Sequence, residues 1–328
     1  MKKRVNAWLA GIAVLTCAAT AGAAAKGAPK LRIGILIAQS GPSETQTIRG
    51  LRDGLKELRY KERDNIVIEV KDLKGERGAL QPAAAELVNK KVDLIFTIGT
   101  RATQAAMAAT REIPIVFRHS ADPIAIGLVK NLKQPGGNVT GIAAFSPEMT
   151  GKRLETLKEI VPNLKRVHIL YDSNNPFSKT SFAAAKKEAT RLRLDVVEHT
   201  VKTVDELKSA LGALQKMDGD AIFQVSDDLV ESQADTIFEA ARQQSLPTMF
   251  DGADWAPKGS MASYGANYYR MGVQAAAMIH KILRGASPKN LPVERAEKYD
   301  LLINLRMANA IGHTIPPAAL KKADKVVR

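Results

Sequence analysis

Asp93-Leu94-Ile95-Phe96-Thr97-Ile98-Gly99-Thr100 has a counterpart further along the chain in Asp220-Ala221-Ile222-Phe223-Gln224-Val225-Ser226-Asp227. Each is a short apolar run that ends in a polar or glycine-bearing turn, the pattern of a strand covered on both faces. The echo extends outward. Ile113-Pro114-Ile115-Val116-Phe117 follows the first copy, and Leu246-Pro247-Thr248-Met249-Phe250 follows the second. Leu31-Arg32-Ile33-Gly34-Ile35-Leu36 opens one series, and Lys165-Arg166-Val167-His168-Ile169-Leu170 opens the other. Between strands the apolar period changes to that of a helix, as in Ile48, Leu51, Leu55 and Leu58. Strands alternating with helices predict an α/β fold of the doubly wound kind. Two such series predict two Rossmann-like lobes with an interlobe cleft, and 328 residues suffice for two proper cores.

The turn cluster Pro135-Gly136-Gly137-Asn138 precedes a strand, Val139 to Phe145, that leads out of the first lobe near Ala144 to Pro147. A helix from Glu148 to Ile160 follows. In the second series, Thr203-Val204-Asp205-Glu206 reads as a capping box. A strand over Met261 to Tyr264 is followed, after Asn267, by a long helix to Leu283 that Gly285 closes. Leu301 to Leu305 reads as a last strand.

The first residues have a different character. Lys2, Lys3 and Arg4 precede a short apolar run, Ala7 to Ala19, and the small-residue stretch Ala21 to Ala25. This is the layout of a secretory signal peptide over residues 1–25, and it predicts a periplasmic protein. Cys17 is the only cysteine. Val14-Leu15-Thr16 before it is a poor lipobox, so Cys17 is read as part of a cleaved signal, and the mature chain then has neither thiol nor disulfide. Loss of Lys2, Lys3 and Arg4 lowers the formal net charge from +14 to +11. The remaining charge is dispersed, with no basic run interleaved with aromatics, so no nucleic-acid partner is expected.

Ligands of open α/β sheets bind at the carboxyl ends of the strands. Six loops qualify: Gln39 to Ser43, Gly99 to Thr103 and Arg118 to Pro123 in the first lobe, and Asp172 to Ser178, Ser226 to Leu229 and Asp251 to Trp255 in the second. Gly99-Thr100-Arg101-Ala102-Thr103 joins a strand to a helix. Its glycine permits close approach, Thr100 or Thr103 offers a hydroxyl, and the helix start favours an anion. Thr100 could equally be a simple cap. Asp122 before Pro123 is either a ligand contact or an Asx-type turn. Asp227, Asp228, Asp251 and Asp254 gather acid that could hold an ammonium group or cap helices. Asn174, Asn175, Phe177 and Ser178 offer amides and an aromatic wall, and Trp255 and Tyr264 could stack on a ligand or pack inside. There is no Walker loop, no G-x-S-x-G elbow and no G-x-G-x-x-G after the first strand. The histidines show no metal-ligand spacing, and His168, inside an apolar strand, reads as a core residue. Neither an enzyme, nor a cofactor, nor a metal is expected.

Gly54-Leu55-Lys56-Glu57-Leu58, Ile98-Gly99-Thr100 with Ala102-Thr103, Asp122-Pro123, Gly127-Leu128-Val129, Pro135-Gly136-Gly137-Asn138-Val139-Thr140-Gly141 and Lys281-Ile282-Leu283-Arg284-Gly285 carry a resemblance across nearly the whole chain. It resembles the tryptophan/tyrosine-type substrate-binding proteins of ABC transporters, which have the type I periplasmic-binding fold. The resemblance implies two lobes joined by three crossings. The N-terminal lobe would span 31–143 plus about 267–288, and the C-terminal lobe 146–264 plus about 292–328. It implies a small ligand, an amino acid or related carboxylate, held in the cleft without covalent chemistry by Ser40, Gly99, Thr100, Thr103, Ser120 and Asp122 from one lobe and Asn175, Asp227 and Asp251 from the other. Arg101 stands where the family tends to have a small residue or Pro. The implied partners are the permease subunits of an ABC transporter, with only peripheral contact to a membrane protein, and the chain would act as a monomer. A receptor that presents ligand to a membrane signalling protein would share the fold and the signal. A secreted enzyme would need an acid–base–nucleophile set that is not seen.

Overall fold

The computed structural model describes residues 30–328, except 39, 120–121, 145–146, 215–216, 218–219, 226 and 253. The signal-peptide reading, Cys17, Ser120 and Ser226 lie outside the described residues, as do the side chains of Phe177 and Asp228.

The first lobe begins with β1 (Leu31–Ile37), α1 (Pro42–Glu57), β2 (Ile66–Asp72), α2 (Leu80–Asn89), β3 (Leu94–Ile98), α3 (Thr100–Ala109), β4 (Ile115–His119) and β5 (Val139–Ala143). Strands β3, β4 and β5 are buried along their whole length, the consequence of helices on both faces. Ile33, Ile35, Ile37, Phe96 and Val116 point to one face, and Leu36, Ile95, Ile115 and Phe117 to the other. Gly34 has no side chain because α2 lies against it; a Cβ there would meet Leu87 Cδ2 at 2.8 Å.

The chain then crosses to α4 (Pro147–Ile160), which packs against elements of the second lobe. That lobe continues with β6 (Arg166–Asp172), α5 (Pro176–Arg191), β7 (Asp195–Val201), α6 (Val204–Gly212), β8 (Asp220–Phe223), α7 (Asp228–Ser232), α8 (Ala234–Gln243), β9 (Thr248–Asp251) and β10 (Ala262–Ala266). Thr203 caps α6, its Oγ1 accepting from Glu206 N at 3.1 Å, while the reciprocal bond is shifted by one residue: Glu206 Oε2 accepts from Lys202 N at 2.8 Å.

A second crossing leads to α9 (Tyr268–Leu283), capped by Asn267, whose Oδ1 accepts from Arg270 N at 2.9 Å. This helix lies on α1 with glycines at the seam. A Cβ on Gly50 would lie 1.9 Å from Tyr269 O, so nothing larger fits without moving the helices apart. After α9, the short β11 (Glu294–Arg295) pairs parallel with β5, Glu294 opposite Ile142. This corrects the expectation that the chain from about 292 belongs to the second lobe; the third crossing follows β11. The last elements are β12 (Tyr299–Asn304), α10 (Leu305–Ala310), α11 (Pro317–Lys322) and β13 (Lys325–Val327).

Among the described residues the two sheets have the orders β11-β5-β4-β3-β1-β2 and β13-β12-β10-β9-β8-β6-β7. All pairings are parallel except β10 with β12. This is the type I periplasmic-binding fold, with an interlobe cleft. No described helix is long and apolar enough to cross a membrane.

Candidate functional site

Parallel strands deliver their carboxyl ends to one edge of each sheet, and each lobe ties its strand ends together. In the first lobe, Gly99 N donates to Arg118 O at 3.2 Å, and Ala144 N donates to His119 O at 2.8 Å. In the second, Asp172 N donates to Asp227 Oδ2 at 2.7 Å, and Asp251 N donates to Gln224 Oε1 at 2.8 Å. These bonds tie the loops into two rims.

Gly99 precedes α3 with φ +92° and ψ 160°, a conformation open essentially to glycine alone. Apart from its chain neighbours, no described residue has an atom within 4 Å of where its Cβ would be. The first amides of α3 have no carbonyl partner inside the helix. Thr100 hydrogen-bonds His119 Nε2 through its hydroxyl rather than capping the helix. Thr103 is fully buried, and its hydroxyl bonds Thr97 Oγ1 and Gly99 O, both at 2.8 Å. Ser40 N donates to Asp72 Oδ1 at 3.3 Å, which draws the β1 loop toward β2. Asp122 forms the Asx-type turn, accepting from Ile124 N at 2.8 Å and Ala125 N at 3.3 Å. Arg101 is exposed on α3.

In the second lobe, Asn175 begins the turn into α5, its N–H bonded to Asp172 O at 3.1 Å. Asp227 is 2% exposed, and both carboxylate oxygens are committed to backbone amides, Oδ2 to Asp172 and Oδ1 to Val230 at 2.9 Å. Asp251 Oδ1 meets Arg153 Nη1 at 2.7 Å. Arg153 itself is buried, with Nη2 donating to Gln224 O at 3.2 Å, so it fixes the ends of β8 and β9 together. Trp255 packs against Phe238 and Phe250 beneath Lys258 and belongs to the core.

The two rims meet around Tyr268, at the second crossing. The Arg118 guanidinium carbon lies 3.9 Å from the Tyr268 ring centroid. On the opposite side, a Cβ on Gly252 would lie 2.9 Å from the Tyr268 hydroxyl, which brings the β9 loop against that ring. Burial pushes the Tyr268 phenol well above its usual range, so it stays a neutral hydrogen-bonding group. Asp254 and Tyr268 line one pocket together with Asn267, Lys298, Asp300 and Asp324. Burial raises the Asp254 carboxyl above its usual range, opposed by the nearby Lys258 and Arg118 charges. Behind Tyr268, Tyr299 of the third crossing donates to Ala144 O of the first at 2.7 Å. The described residues include no cluster of ligands fit for a metal ion.

Residues 32–327 match the family profile described as ABC transporter substrate binding protein. The chain belongs to that family. A curated relative, the tyrosine-binding protein of Clostridioides difficile (strain R20291), is 29% identical over 273 residues, covering 83% of this chain and 78% of the relative. The ABC domain from Streptococcus pneumonia, solved in complex with L-Trp, superposes with a TM-score of 0.82 at 31% identity, covering 91% of this chain and 100% of that one. The ligand-free, open structure of CD0873, a substrate binding protein with adhesive properties from Clostridium difficile, superposes with a TM-score of 0.75 at 30% identity, covering 90% and 99%. The family is one of substrate-binding proteins that hold small ligands, not of catalysts.

For an ABC transporter substrate binding protein, the sequence reading missed Arg153 and Tyr268 and, although it placed Arg118 at the head of a strand-end loop, did not single it out as a contact. Arg118 carried a legible signal, a charge inside the strand Ile115-Val116-Phe117-Arg118-His119, where a fully buried sheet should be apolar. Arg153 carried none, because a buried arginine on a helix looks like any solvated neighbour such as Lys152.

Proposed function

We propose that the chain is the exported solute-binding component of an ABC importer. It captures an amino acid or related carboxylate between its lobes, without covalent chemistry, and hands it to a membrane permease. The observation that carries this reading is the cleft itself: two sets of strand-end loops tied together within each lobe and brought together around Tyr268 and the crossings. Such a joint can open and close as a hinge, and a ligand that touches both rims favours closure. The tyrosine-binding relative and the L-Trp complex support an amino acid as the ligand. The better superposition on the L-Trp complex than on the open, ligand-free structure, at nearly equal identity, supports a closed arrangement of the lobes here.

Within this reading Ser40, Gly99, Thr100, Ser120, Asn175 and Asp251 offer ligand contacts from the two rims. Thr103, Asp122 and Asp227 shape those rims through bonds already made. In the same reading the mature protein works in the periplasm as a monomer, in peripheral contact with the permease; the signal-like first residues support export.

The direct test is mass spectrometry of small molecules released when the natively purified protein is denatured, paired with a thermal-shift screen of amino acids. An amino acid in the released fraction that also raises the melting temperature is the expected result. Release of a sugar or polyol, with no amino acid raising it, refutes the ligand class. N-terminal sequencing of the mature chain tests export: an intact Met1 in the cytoplasm refutes it.

A further inference from the structure

Arg118 is 4% exposed, and its Nε and Nη2 have no hydrogen-bond partner among the described residues. Donors taken out of water and left unpaired cost free energy, and more so when they carry charge. The Tyr268 ring offsets part of that cost from the guanidinium face, but a ring face cannot take up the in-plane N–H groups. The same molecule shows what these two atoms do when a carboxylate is present. Arg166 grips Asp220 through Nε to Oδ1 at 2.8 Å and Nη2 to Oδ2 at 2.6 Å. That is the side-on fork of guanidinium–carboxylate recognition. Arg118 presents the same two nitrogens, bonded to nothing described, beside the ring where the lobes meet. Asp254, which shares a pocket with Tyr268, has a buried Oδ2 without a partner among the described residues, and no ion pair joins it to Arg118 there.

We propose that Arg118 is the carboxylate receptor of the cleft. The ligand's carboxylate accepts Nε–H and Nη2–H side-on, as Asp220 does from Arg166. This rests on the capture reading above and adds the residue that selects for charge. It also gives a reason for a buried cation inside strand β4: the part of the cost that the Tyr268 ring leaves is offset in the liganded state.

The test is a cycle between ligand and residue. Calorimetry measures L-tyrosine, tyramine (which lacks the carboxylate), 3-phenylpropionate (which lacks the amine) and myo-inositol on the wild-type protein, Arg118→Gln and Arg118→Lys. The wild type should favour L-tyrosine over tyramine by about 10- to 100-fold, the worth of a charged hydrogen-bonded pair. Arg118→Gln should erase that preference, and Arg118→Lys should keep only part of it, because an ammonium lacks the fork. Ligand-free Arg118→Gln should melt no lower than the wild type. Should it melt lower, Arg118→Lys, which keeps the charge and the aliphatic stem, carries the comparison. Equal weakening of L-tyrosine and tyramine, or an unchanged preference, overturns the assignment while the capture reading stands. If L-tyrosine fails but 3-phenylpropionate binds and depends on Arg118, the assignment holds and the amino-acid reading falls. Binding of myo-inositol alone, or of no probe, overturns both.

Discussion

Asp227 and Gly99 show how differently one residue position can serve a cleft. Asp227 looked like an acid available to a ligand ammonium, yet its oxygens hold the amides of Asp172 and Val230. Asp227→Ala leaves both amides without acceptors in a buried place. It should cost about 1–3 kcal/mol of unfolding free energy by denaturant titration. A full loss of ligand affinity with unchanged stability would instead make Asp227 a direct contact. At Gly99 the backbone is the constraint. Gly99→Ala forces a side chain into φ +92°, ψ 160°, although there is room for the methyl itself. The expected loss is about 1–3 kcal/mol, from backbone strain alone, and a denaturation curve matching wild type would contradict that conformation. The glycine was legible because a strand-to-helix turn asks for it. The fate of a carboxylate was not, since a cap and a ligand contact use the same atoms.

Elements carry the next layer of information, and the second lobe holds a polar cluster at the end of its sheet away from the cleft. His168, near the start of β6, bonds His199 of β7 through ring nitrogens 3.0 Å apart and faces Asp220 of β8 at 3.3 Å. Burial pushes both imidazoles below their ordinary value of 6.5; the Asp220 carboxylate pulls His168 back up only in part. The unfolded chain therefore takes up protons below about pH 6.5 before the folded one does, so stability falls as pH drops through that value toward the native pKa values. Urea midpoints at pH 7.5 and 5.5 should show this fall, and His168→Gln combined with His199→Gln should flatten it. An unaltered pH slope in the double variant would exclude these groups as its source. The strand carrying His168 was readable from its apolar run, whereas its pairing with β7 and β8 came only from the register that set three side chains side by side.

At the scale of the molecule the hinge is the property that matters. Three crossings join the lobes, and Tyr299 ties the third to the first through Ala144 O. If the lobes close over ligand, small-angle scattering should give a smaller radius of gyration with saturating L-tyrosine than for protein stripped by denaturation and refolding. Identical curves, with binding confirmed by calorimetry, would mean a cleft that does not move. What the amino-acid order determined by itself is the repeated strand–helix alternation, the two lobes and the six loops at the strand ends, because hydrophobic period and turn chemistry are local properties. Tertiary structure alone decided which lobe β11 joins, since a two-residue strand has too little pattern to declare a partner. It also decided which polar groups are spent and which are free. Both Asp227 carboxylate oxygens are spent in holding a rim, and among the described residues Arg118 is left with two unpaired donors beside Tyr268. That distinction depends on where a carboxylate or an amide from a distant segment comes to rest, and only the packing of the sheets and the closing of the crossings sets those positions.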